Sequence, residues 1–218
     1  IKRDLKKYLA ELIGTFIMIF IGTGSIMIDS IHNEIGNIGI GLSFGLSVMS
    51  VVYAIGSVSG AHINPAVSIA FWLDKKLMTK DLIPYIFFQI IGGILASTLL
   101  FFLLPESKTM GETLVKCDDW KLVFIVEFII TFILMFVILQ VSDKSRNLDR
   151  FSGIAIGGVV AFAAIFVGPI SGASMNPARS IAPAILINDF SYLWIYIVSP
   201  ILGAVLSVFV YKIIQTRK

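Results

Sequence analysis

Residues 59–70 read SGAHINPAVSIA and residues 171–182 read SGASMNPARSIA, identical at nine of twelve positions and 112 residues apart. In a chain of 218 residues that offset is about half the length, so one unit is expected to occur twice, over about 1–105 and about 118–218 of a single domain. Each copy carries Asn-Pro-Ala (Asn64, Pro65, Ala66 and Asn176, Pro177, Ala178) directly before an apolar run too brief to cross a bilayer. Asparagine is a favoured helix cap and proline a favoured first helical residue, so each motif predicts the start of a short helix. Interrupted apolar segments at matching places in two halves point to a transport site at the bilayer midplane.

Composition says what solvent surrounds the rest. Hydrophobic residues make up 57% and charged residues 14% of the chain, and mean hydropathy is +0.92. A soluble domain of this size has no core large enough to hide that much apolar surface, so most of the chain is expected to face lipid. The net charge of +3 is spread outside the apolar runs. It forms no basic face of the kind nucleic acid requires. A single cysteine, Cys117, excludes an internal disulfide and a cysteine-based metal site. No cofactor or metal is implied, and no cleavable signal peptide is read at the start of the chain.

Six apolar runs, near 8–28, 35–57, 83–104, 121–141, 152–170 and 191–213, fit spanning helices. The motif segments near 64–73 and 176–186 lie between the second and third runs and between the fifth and sixth. At about ten residues each would be about 15 Å long, so two meeting at their N-termini from opposite faces would span the membrane once. The predicted fold is therefore all-α: six transmembrane helices plus two re-entrant half-helices. Three spans per repeat is odd, which turns the second half upside down. Lysine and arginine follow that topology. The N-terminal segment (Lys2, Arg3, Lys6, Lys7), the 74–81 loop (Lys75, Lys76, Lys80), the 143–150 loop (Lys144, Arg146, Arg150) and the tail (Lys212, Arg217, Lys218) hold 13 of the 17. The positive-inside rule makes that side, and both termini, cytoplasmic. The 142–150 loop mixes both charges and reads as a solvated turn, with a gate as the competing idea.

Polar groups inside apolar runs carry the functional reading. Glu11 and Glu127 occupy matching places in the first helix of each half, with Thr15 and Thr131 four residues on. A carboxylate in a spanning helix costs at least about 2.5 kcal/mol and turns to an interior partner. A proton relay is one reading. Their match to the repeat favours the other, brackets that accept hydrogen bonds from the non-helical backbone before each motif. His62 reads as a further brace. Asn64 and Asn176 are expected to cap their helices and to donate an amide N–H into the lumen. The residues before them (Gly60, Ala61, His62, Ile63 and Gly172, Ala173, Ser174, Met175) would line the pore with carbonyls. Each helix end carries about +0.5 elementary charge, so their meeting point repels cations and hydronium. Arg179 stands where repeat 1 has Val67. Its five donors need partners, and a fixed donor in an outer constriction fits better than a snorkel to lipid headgroups.

Twin NPA motifs, six spans and paired glutamates resemble the aquaporin, or major intrinsic protein, family across essentially the whole chain. The resemblance implies a passive channel in the cell membrane, one pore per subunit, and a homotetramer. By alignment on the two asparagines it implies an outer filter of Phe44, Ala164, Ala173 and Arg179. Water-selective members usually carry histidine where this chain has Ala164. The glycerol branch adds a second aromatic and an Asp, where Ala173 and Ser180 stand here. The run GPISGASMNPARS is similar to the plant nodulin-like branch and to archaeal aquaporins, which pass more than water. The expected function is a passive channel for water and small uncharged, glycerol-type solutes that excludes ions and protons. A strict water channel, a secondary transporter and a non-conducting membrane protein are the competing readings. No nucleophile–base pair suggests an enzyme.

Overall fold

The computed structural model describes residues 2–117, 119–143 and 147–215. Among them lie eight α-helices: α1 (Lys2–His32), α2 (Gly36–Ser59), α3 (Pro65–Leu73), α4 (Thr79–Leu103), α5 (Trp120–Val141), α6 (Ser152–Ser171), α7 (Pro177–Ile187) and α8 (Leu193–Ile214). Six are long and apolar enough to cross a membrane. At about 1.5 Å per residue even the shortest of these reaches about 30 Å. The half-helices α3 and α7, of 9 and 11 residues, come to about 14 and 16 Å, one bilayer crossing between them.

Packing repeats with the sequence. Helix α1 packs on α2 and α4, and α5 packs on α6 and α8, while α2 against α6 joins the halves. Each half-helix packs on the last long helix of the other half: α3 on α8, α7 on α4. Lipid supplies no hydrophobic drive between helices, so small residues bring backbones close. A Cβ built on Gly45 would meet the Gly157 carbonyl oxygen at 2.5 Å, and one on Gly157 would meet the Gly45 oxygen at the same distance. Pro169 has no amide to give the Ile165 carbonyl one turn back, and Asn37 Nδ2 donates to that oxygen at 2.5 Å.

One end of the bundle gathers the loop charges. Lys7 Nζ lies 2.6 Å from buried Asp81 and 3.0 Å from Asp4, and Lys76 pairs with Asp74 at 2.9 Å. Lys212 reaches Asp74 at 3.7 Å. Residues 144–146 of the 142–150 loop, and the side chains of Lys2, Arg3, Lys144, Arg146, Arg217 and Lys218 used in the topology argument, lie outside the described residues.

Candidate functional site: a lumen between two half-helices

The loop before each half-helix repeats residue by residue. Gly60 and Gly172 close α2 and α6 in the left-handed region at φ 92° and 82°. Ala61 and Ala173 (φ 49° and 46°) and Ile63 and Met175 (φ 45° and 53°) are also left-handed. Outside glycine that conformation costs about 1–3 kcal/mol per residue and persists only where the surroundings enforce it. The glutamates do so. Glu11 accepts from the His62 N–H (3.0 Å) and Ile63 N–H (2.6 Å), and Glu127 from the Ser174 N–H (2.8 Å) and Met175 N–H (2.9 Å). Both are fully buried. Gln89 Nε2 also donates to Glu11 at 2.7 Å, and the Ser171 hydroxyl to Glu127 at 2.6 Å, while Ser59, the counterpart of Ser171, hydrogen-bonds Glu11. Tyr85 and Tyr196 tie the loops down from outside, donating to the Ser59 and Ser171 carbonyls at 2.7 and 2.9 Å. The His62 ring is stacked 4.6 Å from Phe71, with Nδ1 3.1 Å from the Ser68 hydroxyl.

The two half-helices meet N-terminus to N-terminus. Each asparagine oxygen accepts from the N–H two residues on, Ala66 at 2.9 Å and Ala178 at 3.0 Å. Each amide nitrogen crosses to the opposite repeat: Asn64 Nδ2 donates to the Met175 carbonyl at 2.7 Å, Asn176 Nδ2 to the Ile63 carbonyl at 2.8 Å. The expectation that each amide simply points into the lumen is therefore refined. One N–H of each staples the halves together; the Asn176 nitrogen also lies 3.8 Å from Met18 Sδ. The stapling bonds engage the carbonyls of Ile63 and Met175, so each expected row of acceptors ends one residue early.

A cavity of about 840 Å³ runs from the Lys7, Lys76 and Asp81 end to Arg179 and Phe44. Both motif asparagines border it, as do Gly60, Ala61, His62, Ile63, Ala173, Ser174 and Met175. Gly172 sits beyond, beside Thr113. All four positions that the resemblance assigns to a filter, Phe44, Ala164, Ala173 and Arg179, line the cavity and are buried. The guanidinium carbon lies 5.2 Å from the Phe44 ring centroid. Arg179 is 1% exposed. Its Nη1 donates to the Gly111 carbonyl at 2.5 Å, while Nε and Nη2 have no protein partner. Two buried charged donors without a protein partner, on a residue that borders the cavity, are candidates to receive a solute oxygen. Ser180, one residue on, is held in a hydroxyl chain, 2.8 Å from Thr113 Oγ1 and 2.6 Å from Ser174 Oγ. Lys116 lies on the same connecting segment. Desolvation and, behind it, the Arg179 charge pull its pKa below the ordinary lysine value.

A family model described as Major intrinsic protein matches residues 2–211. The chain belongs to the major intrinsic protein family. A probable aquaporin of NIP type from Nicotiana alata is 42% identical over 215 residues, 97% of this chain and 78% of that protein. The Glycerol uptake facilitator protein-like 6 of Lactiplantibacillus plantarum is 37% identical, covering 98% of this chain and 100% of that protein. Among solved structures, the aquaglyceroporin of Plasmodium falciparum superposes with a TM-score of 0.89 at 25% identity, covering 98% of this chain and 97% of that one. Six apolar spans in a member of this family make it an integral membrane protein.

Several residues of this major intrinsic protein escaped the sequence reading. Gln89, a lone amide in an apolar run, carried a signal of the same kind as Glu11. Tyr85 and Tyr196 sit 111 residues apart, close to the motif offset, and a comparison of the halves beyond the motif finds them. Gly111 carried no signal, because what it contributes to Arg179 is a backbone carbonyl.

Proposed function

We propose that the protein is a passive pore for water and small uncharged solutes of glycerol type, closed to ions and protons. The observation that carries this is the ring at the Arg179 end. Phe44 gives an apolar wall, Arg179 beside it carries two buried donors with no protein partner, and the small side chains of Ala164 and Ala173 line the same cavity. A polyol slides its carbons along Phe44 while its hydroxyls pair with Arg179. The guanidinium and the meeting ends of α3 and α7 set a positive potential along the same path, against which a cation or hydronium must climb. Names among the relatives, a glycerol uptake facilitator-like protein and an aquaglyceroporin, agree with that solute class.

The rest of the reading is also a proposal. The lysine-rich end of the cavity is cytoplasmic with both termini, the membrane is the cell membrane, and four copies assemble with one pore each. Asn64, Asn176 and the unengaged loop carbonyls serve as donors and acceptors for solute along the lumen, and Glu11 and Glu127 are brackets. Stopped-flow light scattering on proteoliposomes with water, glycerol, urea and an uncharged metalloid acid tests the solute class. Conduction of glycerol as well as water is expected. Fast water flux with glycerol and urea both rejected would make the chain a strict water channel lacking the usual histidine.

A further inference from the structure

Glycine inside a helix costs about 1 kcal/mol against alanine, so a buried one facing another side chain invites a reason. Gly22, buried in α1, faces Phe44 of α2. A Cβ built on Gly22 would strike the ring, with even Cζ only 2.6 Å away, far inside the 3.5–4.0 Å or so of an ordinary carbon contact. The Phe44 ring is thus seated in the hollow left by a missing methyl group, with its other side toward the lumen and Arg179. The next residue backs the opposite wall. Thr23 lies against Gly111, where an added Cβ would come within 2.8 Å of Thr23 Cβ, and Gly111 is the residue whose carbonyl holds Arg179. One turn of α1 therefore sets both the recess of the aromatic wall and the footing of the polar corner.

We propose that Gly22 is a specificity-determining residue of this pore, its absent side chain holding Phe44 back and so setting the width of the ring. A methyl group there pushes the ring off its seat, and the cavity it lines is open space for it to move into. The inference rests on the pore reading above but not on its solute.

The test compares Gly22→Ala, Phe44→Leu, the double variant and Gly24→Ala in proteoliposomes. Gly24 is the control, since its added Cβ would face Leu100 at 3.1 Å and not the lumen. Gly22→Ala is expected to lower glycerol permeability about tenfold, equivalent to about 1.4 kcal/mol of barrier, and water permeability much less. The double variant should return to the level of Phe44→Leu, and Gly24→Ala should keep the selectivity of wild type. Gly22→Ala with unchanged glycerol flux, or with water and glycerol lowered equally and no rescue by Phe44→Leu, overturns the proposal. A Gly22→Ala protein that fails to fold supports it if Phe44→Leu restores folding and overturns it otherwise. Should wild type reject glycerol, the solute reading falls, and Gly22 is read on water alone. An unchanged water flux in Gly22→Ala then overturns it.

Discussion

Replacing Glu127 by leucine and by glutamine separates bracing from proton chemistry, because the two substitutions remove different things. The carboxylate accepts from the Ser171 hydroxyl and Ser174 N–H on one oxygen and from the Met175 N–H on the other. Leucine leaves all three donors buried without a partner. At about 1–3 kcal/mol for each, the loss is about 3–9 kcal/mol, set against a typical total stability of about 5–15 kcal/mol. It also removes the acceptor that holds Met175 at φ 53°. Glutamine keeps one oxygen, enough for Ser171 and Ser174, and orphans only the Met175 N–H, a loss of about 1–3 kcal/mol. Glu127→Leu is therefore expected to express poorly or to elute as an aggregate from a sizing column. Glu127→Gln should fold, unfold at a lower temperature than wild type and retain most of its water permeability. The Glu11 pair should behave alike, since Glu11 also accepts from His62, Ile63 and Gln89 and hydrogen-bonds Ser59. The measurements are thermal unfolding in detergent and shrinkage of proteoliposomes. A Glu127→Gln protein with wild-type stability and no transport would refute the bracket and point to ionisation. Glu127→Leu that folds normally would refute it from the other side.

Three further outcomes test the ring at the Arg179 end. Arg179→Val installs the residue that repeat 1 carries at the same motif position; proton or cation leak across planar bilayers should rise, and unchanged ion tightness would assign exclusion to the helix ends alone. Ala164→His replaces a small side chain lining the cavity with a larger polar one and should cut glycerol permeation far more than water, with equal losses counting against the width argument. Gly111→Ala forces a side chain into a φ 68° backbone and against Thr23, at about 1–2 kcal/mol from the backbone term alone. It should lower thermal stability and weaken the discrimination that depends on Arg179, and a variant identical to wild type in both would show that the Gly111 carbonyl is not what holds the guanidinium.

Fold and site were legible to different depths for a physical reason. In an apolar chain every polar residue stands out, since each must be satisfied inside the membrane. Glu11, Glu127, Asn64, Asn176 and Arg179 were therefore readable as interior groups before any coordinates, and the repeat supplied their pairing. The proline after each asparagine marked the helix starts, and the structure begins α3 and α7 at those prolines. What the sequence left out was made of backbone or of missing atoms. The Gly111 carbonyl on Arg179 has no residue type of its own. The hollow behind Phe44 is the lack of a Cβ at Gly22, and α1 also has Gly14 and Gly24 in other packing roles. The crossed bonds from Asn64 to Met175 and from Asn176 to Ile63 depend on how closely the halves approach, which a one-dimensional pattern does not encode. The residues proposed to decide what passes are thus of two kinds. Arg179 announces itself by its charge, while Gly22 and Gly111, which set where Phe44 and Arg179 stand, are visible only once the helices are packed. Two pores with the same four filter residues can therefore differ in width through the glycines behind them.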